Sequence, residues 1–127
     1  MKKITVLFRA LVLGVSVLAA NVFAANYLIQ VDSPQYYGQS YGAFWNNGSI
    51  NNVPAGAYYE WNASAAGSGF AHVIIGGGGL NVNESVYGGG NAYDVGQTSY
   101  ADSISYQLSA NTMFYGDNAM ALLYVGW

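Results

Sequence analysis

Cysteine is absent from the 127 residues, and Lys and Arg together number three, all at the start: Lys2, Lys3 and Arg9. Without thiols the chain has neither a disulfide framework nor cysteine chemistry. Beyond residue 9 no guanidinium or ammonium side chain can neutralise phosphate, so DNA, RNA and anionic bilayers lose their usual electrostatic attraction. Nucleic acid and an anionic membrane surface are therefore not expected partners. Charge is scarce throughout, at 7% of residues, and proline occurs twice. Past residue 24 the charged side chains are six carboxylates, Asp32, Glu60, Glu84, Asp94, Asp102 and Asp117, accompanied by a single imidazole, His72. Carboxylates facing no basic side chain cannot build an ion-pair network. Cohesion must come from apolar burial, backbone ladders and polar hydrogen bonds.

The opening MKKITVLFRALVLGVSVLAANVFA joins a basic start to a largely apolar stretch, residues 10–20, and ends on small residues, Val22 and Ala24. That order reads as a secretory signal peptide over residues 1–24, leaving 25–127 as a single all-β domain. Export is expected, to the periplasm, the cell surface or the medium of a Gram-negative bacterium.

What the chain does have is aromatic and small residues, with twelve Tyr, three Trp and seventeen Gly. Disordered chains are poor in aromatics, so a folded domain or an assembling chain is expected. In Ser99–Leu108, Tyr100, Ile104, Tyr106 and Leu108 alternate with Ser99, Ser103, Ser105 and Gln107. A period of two means a strand with one wet face. Leu80–Tyr87 alternates in the same way, with Leu80, Val82 and Val86 inward. Turn signals punctuate the rest: Asn46-Asn47-Gly48-Ser49 as a hairpin turn, Val53-Pro54-Ala55-Gly56, Ser64–Gly69, Ser109–Asn111 and Gly116-Asp117-Asn118.

The runs Gly76–Gly79 and Gly88–Gly90 bound the Leu80 strand. A phosphate-binding loop would need glycine at 81 or 93, where the chain has Asn81 and Tyr93, and would need a helix to follow. Both runs therefore read as turns. Eight to ten short strands with no helical stretch predict an all-β fold. A single small antiparallel β-sandwich, jelly-roll or Ig-like, is the expected architecture, with a small β-barrel as the alternative.

Two segments carry resemblances. Met120–Trp127 resembles the final strand of bacterial outer-membrane barrels, ending on Trp127 with Val125, Leu123 and Ala121 at alternating positions. That likeness implies a small outer-membrane barrel, although a central buried strand explains the same run. Tyr87–Asn91, YGGGN, is similar to fragments of bacterial curli subunits, without the spaced Ser, Gln and Asn repeat of that family; low charge, many Asn, Gln, Tyr and Gly residues and numerous strands give the alternative of a self-associating, amyloid-like matrix subunit.

Candidate binding residues come from the aromatics. Tyr36, Tyr37 and Tyr41 lie among Gln, Ser, Gly and Pro, a loop composition, and Tyr58 with Glu60 completes the set. Tyr joins flat apolar area to a hydrogen-bonding edge, which suits a glycan or a surface protein. Asp94, Asp117 and Asn118 offer hard oxygen ligands for calcium without EF-hand spacing, and Asp-Asn is also ordinary turn chemistry. Asp102 breaks the alternation of its strand and reads as a wet strand end, with a calcium or sugar ligand as the sharper alternative. His72, alone beside Val73-Ile74-Ile75, reads as structural. Paired carboxylates are the one common catalytic device the composition allows, and a carboxylate-dependent glycosidase is the less favoured alternative. The expectation is a non-enzymatic exported domain without a cofactor, acting as a surface, adhesive or matrix protein.

Overall fold

The computed structural model describes residues 24–34, 42–114 and 116–127. The expected signal peptide, except Ala24, and Tyr36, Tyr37 and Tyr41 lie outside the described residues. Eight strands follow one another: β1 (Asn26–Ser33), β2 (Gly42–Val53), β3 (Tyr58–Ala66), β4 (Phe70–Gly77), β5 (Leu80–Tyr87), β6 (Asn91–Gln97), β7 (Asp102–Thr112) and β8 (Asn118–Gly126).

Their pairing is that of one long ribbon folded in half. β1 pairs with β8, β2 with β7, β3 with β6 and β4 with β5, all antiparallel. The ribbon then rolls, so that β3 also meets β8 and β4 also meets β7. Two four-stranded sheets result, ordered β1-β8-β3-β6 and β2-β7-β4-β5. This is the jelly-roll form of the expected sandwich. Among the described residues each sheet keeps two edges and no barrel closes. β8 lies between β1 and β3 and is buried for nearly its whole length. Its apolar character on both faces thus belongs to a central sandwich strand, not to the outer-membrane barrel that its ending resembles.

The ribbon folds in half at the glycine run. Gly77, Gly78 and Gly79 take φ of 107°, 62° and 94°, values that only glycine adopts without strain. Asp102 braces this tip: its Oδ2 accepts the Gly78 N–H at 3.3 Å, while Oδ1 accepts the Ser103 N–H at 2.8 Å. Asp102 is exposed and the buried side of β7 begins at Ile104, as expected for a wet strand end.

Two expected turns are strand instead. β2 runs straight through Asn46–Ser49, and β7 runs through Ser109–Asn111. The small-residue loop before β4 is also shorter than expected, because β3 continues to Ala66. At Asn47-Gly48 the glycine is needed for space, not for a left-handed turn: a Cβ there would lie 2.5 Å from the Tyr106 hydroxyl oxygen.

Between the sheets, Ile50, Val53, Trp61, Val73, Ile75, Ile104, Leu108, Leu123 and Val125 are buried. Burying each large apolar side chain is worth about 1.5–3 kcal/mol. The opposite end is filled by alanines, with Ala63 beside Ala121, Ala65 beside Ala119 and Ala71 beside Ala110. Such small side chains let two sheets approach closely, and a polar bridge spans them there. Buried Ser33 of β1 donates to the Gly42 carbonyl at 2.8 Å, and its oxygen lies 2.8 Å from Thr112 Oγ1 of β7. Since the one Ser33 proton goes to Gly42, Thr112 is the donor to Ser33.

Candidate functional site

Alternate residues of β2, β7, β4 and β5 point away from the core, and the register aligns them in four rows. Ala43, Asn111, Phe70 and Tyr87 form the first row, and Trp45, Ser109, His72 and Ser85 the second. Asn47, Gln107, Ile74 and Asn83 form the third, and Ser49, Ser105, Gly76 and Asn81 the fourth. These sixteen positions hold no Asp, Glu, Lys or Arg. They hold five amides and four serine hydroxyls on a regular lattice, with strands about 4.8 Å apart.

Aromatic rings flank this lattice. Trp45, on the edge strand β2, is 69% exposed, and so is Tyr87 on the opposite edge strand β5. Phe70 links Tyr87 to His72, with ring centroids 4.9 Å from Tyr87 and 6.1 Å from His72. His72 Nε2 in turn shares a hydrogen bond of 2.7 Å with Asn83 Oδ1, which fixes the imidazole over β4. The result is a trough. Its floor is Ser105, Gln107, Ser109 and Asn111 of β7, with Trp45 on one side and the Tyr87–Phe70–His72 strip on the other. Ser109, between Trp45 and His72, is small, and those two residues sit on strands about 10 Å apart.

Tyr58 and Glu60 lie elsewhere, on the outward side of the other sheet. The structure does bring them together: the Tyr58 hydroxyl donates to Glu60 Oε2 at 3.1 Å, and the Tyr58 and Tyr124 rings are 5.8 Å apart. Tyr124 donates to Asn26 Oδ1 at 2.7 Å. Burial, and then the negative charge of Glu60, pushes the Tyr58 hydroxyl up to about 12. The same two causes raise Tyr124. Leu122 and Tyr124, at the centre of this side, are buried, unlike the trough residues.

The calcium candidates do not converge. Asp94 accepts the Tyr59 hydroxyl at 3.2 Å and lies beside Trp61, whereas Asn118 lies beside Ala66, five residues further along β3 and roughly 17 Å away. Asp117 is turn chemistry: its Oδ2 accepts the Ser68 N–H at 2.8 Å. The Ser68 hydroxyl and then that N–H hold its carboxyl below the usual range. Among the described residues no three His, Asp or Glu side chains gather as a metal site would require. Glu60 and Asp94, neighbours in the β3–β6 ladder, emerge on opposite faces of their sheet.

Nothing in the local sequence marks Trp45, Phe70, His72, Tyr87 and Gln107 for binding. The alternation in β5 and β7 already marks their wet residues. What it leaves unread is the lateral register that sets Trp45 across from Ser109 and His72.

No family model matches the sequence, and no curated protein matches it. Among solved structures the chain is similar to TmCBM61 in complex with β-1,4-galactotriose, at 13% identity and TM-score 0.42, covering 83% of this chain and 90% of that one. It is also similar to the CBM36-1 domain of a multidomain xylanase from the hindgut metagenome of Trinervitermes trinervoides, at 12% identity and TM-score 0.33, covering 80% and 98%. A third likeness is to infectious bursal disease virus Gx strain, at 13% identity and TM-score 0.26, covering 80% of this chain and 31% of that one. Likenesses this distant leave the ligand to be argued from the site itself.

Proposed function

We propose that the protein is an exported, non-enzymatic module that binds neutral glycan chains in the trough over β7. One observation carries this reading: sixteen outward positions without a formal charge, rich in amides and hydroxyls, lie between exposed Trp45 and the Tyr87–Phe70–His72 strip. Sugar rings present flat C–H faces that pack on aromatic side chains, and their hydroxyls pair with groups that both donate and accept. Amides and serines supply both roles without asking the ligand for charge. A ring over Ser109, stacked on Trp45 and reached by Gln107 and Asn111, uses this geometry directly. Export to the surface, periplasm or medium of a Gram-negative bacterium would place such a module where polysaccharides are found.

Glycan-array binding of the full chain, followed by calorimetry on the best neutral oligosaccharide, tests the reading. Trp45→Ala should weaken binding by about 2 kcal/mol, roughly thirtyfold in Kd, because an exposed aromatic anchor dominates such contacts. Circular dichroism and melting should not change, since Trp45 supports no core residue. Glu60→Gln, on the far side of the sandwich, should leave binding intact. Binding that survives Trp45→Ala together with Tyr87→Ala and fails in Glu60→Gln would move the site to the other sheet. Hydrolysis of a polysaccharide by the pure protein would overturn the non-enzymatic reading.

A further inference from the structure

Four strands end the two sheets: β1 and β6 in one, β2 and β5 in the other. An edge strand carries backbone N–H and C=O groups with no partner on one side, a template for another strand unless charge, proline or a bulge blocks it. Three of the four edges are guarded. β1 holds Asp32, β5 holds Glu84 and β6 holds Asp94. A second copy approaching any of these edges by its own like strand brings carboxylate towards carboxylate, and like charges across a strand pair are destabilising.

β2 differs. It is the longest strand, twelve residues, with no charge and no proline from Gly42 to Val53. Its register irregularity lies only at the far end, between Ile50 and Val53. Trp45, Asn46, Asn47, Gly48 and Ser49 are exposed in succession. The side of Gly48 that faces the core is covered by the Tyr106 ring, and β2 ends its sheet with this central stretch exposed.

We infer that β2 pairs antiparallel with β2 of a second copy, centred on Asn47, joining two β2-β7-β4-β5 sheets into one continuous eight-stranded sheet. The pairing is two-fold symmetric, so each copy supplies the same surface and association closes at a dimer. It is also neutral, which is what lets two copies of an acidic chain meet there. Asn47 then faces Asn47 of the other copy, and Trp45 lies opposite Ser49. The two troughs come to share one side of the joined sheet. This inference stands whether or not the trough binds glycan.

The absence of cysteine makes the test direct. Two residue-47 Cα atoms facing each other across a strand pair are about 4.5–5.5 Å apart, within the range a disulfide spans. Asn47→Cys should therefore oxidise to a covalent dimer at dilute concentration. Asn83→Cys, equally outward on the β5 edge, should form little disulfide-linked dimer and controls for random collision. Sedimentation equilibrium of the unmodified chain should show a monomer–dimer equilibrium, weakened about fivefold or more by Asn47→Lys, with the native circular dichroism spectrum retained. A chain that is monomeric at every soluble concentration overturns the inference. So does a dimer that Asn83→Cys traps and Asn47→Cys does not.

Discussion

Tyr106 of β7 lies directly across Gly48 of β2 on the core side of their sheet, so close that a Cβ at residue 48 would sit 2.5 Å from the tyrosine oxygen and 2.8 Å from Cζ. The other sheet repeats the device. Tyr59 of β3 covers Gly96 of β6, where a Cβ would be 2.7 Å from the hydroxyl oxygen. In both, a tyrosine from an inner strand shields an edge-strand glycine that has no side chain of its own to pack, a known way of stabilising glycine in sheets. Gly48→Ala should therefore push the Tyr106 ring aside and cost about 1 kcal/mol by denaturant unfolding. Tyr106→Leu should make the alanine tolerable, with a coupling clearly above the roughly 0.5 kcal/mol seen for independent sites. Additive effects would mean that the ring does not depend on the glycine.

That contact also shows where sequence reasoning stops. Asn47-Gly48 is a strong hairpin signal by its local chemistry, yet β2 passes straight through it, because the requirement for glycine is imposed from 58 residues away in the chain by Tyr106. The alternations of Leu80–Tyr87 and Ser99–Leu108, and the glycine tip between β4 and β5, are legible because each depends on neighbours along the chain. The trough is half legible. The wet residues of β5 and β7 follow from period two, but Trp45 and His72 become neighbours of Ser109 only through ladders formed by distant segments. Tyr58 and Glu60 do meet, two residues apart on one strand, but on the other side of the sandwich from the trough.

The bridge between the sheets gives an asymmetric prediction. Ser33 donates to the part-buried Gly42 carbonyl and accepts from buried Thr112, so Ser33→Ala strips a partner from each at once. Its cost should be about 1–3 kcal/mol, the range for leaving buried polar groups unpaired, while Thr112→Val should cost about 1 kcal/mol. The double variant should cost less than the sum. Equal and additive effects in urea titrations would show that the two hydroxyls do not act as one unit.

A trough without formal charge should bind independently of salt. Raising salt from about 0.01 M to 1 M cuts the screening length from roughly 30 Å to 3 Å, which weakens any charged contact and leaves stacking and neutral hydrogen bonds largely untouched. The Kd for a neutral oligosaccharide should stay within about twofold across that range. Preference for a uronate or sulfated chain, with steep salt dependence, would sink the proposed mode of binding.

Alkali should loosen the Tyr58–Glu60 side. Burial and the Glu60 charge raise the Tyr58 hydroxyl to about 12, so the folded state holds this proton more tightly than the unfolded chain does. A raised value means that the associated stability is complete below the ordinary tyrosine range near 10 and is lost as pH climbs towards 12. Melting temperature should fall over that window. Tyr58→Phe, which keeps the ring against Tyr124 and removes the ionisable group, should flatten the fall. An unchanged pH profile in the variant would assign alkaline unfolding to other tyrosines.

Acid acts on the edges. The carboxylates Asp32, Glu84 and Asp94 are the charges carried by β1, β5 and β6, and no lysine in the described strands provides an alternative guard. At neutral pH they leave β2 as the open edge, so association should stop at the dimer. As pH falls below about 4, where carboxylates in general take up protons, repulsion between molecules fades. Asp117 should be among the last to protonate, since Ser68 stabilises its ionised form, but it lies in a turn and guards no edge. Growth beyond the dimer should then begin, edge to edge. Light scattering with thioflavin fluorescence from pH 8 to 3 follows it: dye-binding particles appearing in acid are expected. Glu84→Gln with Asp94→Asn should shift their onset to higher pH. Particles that never bind the dye would reduce the effect to isoelectric precipitation, and a dimer that persists unchanged to pH 3 would show that the carboxylates are not what limits assembly.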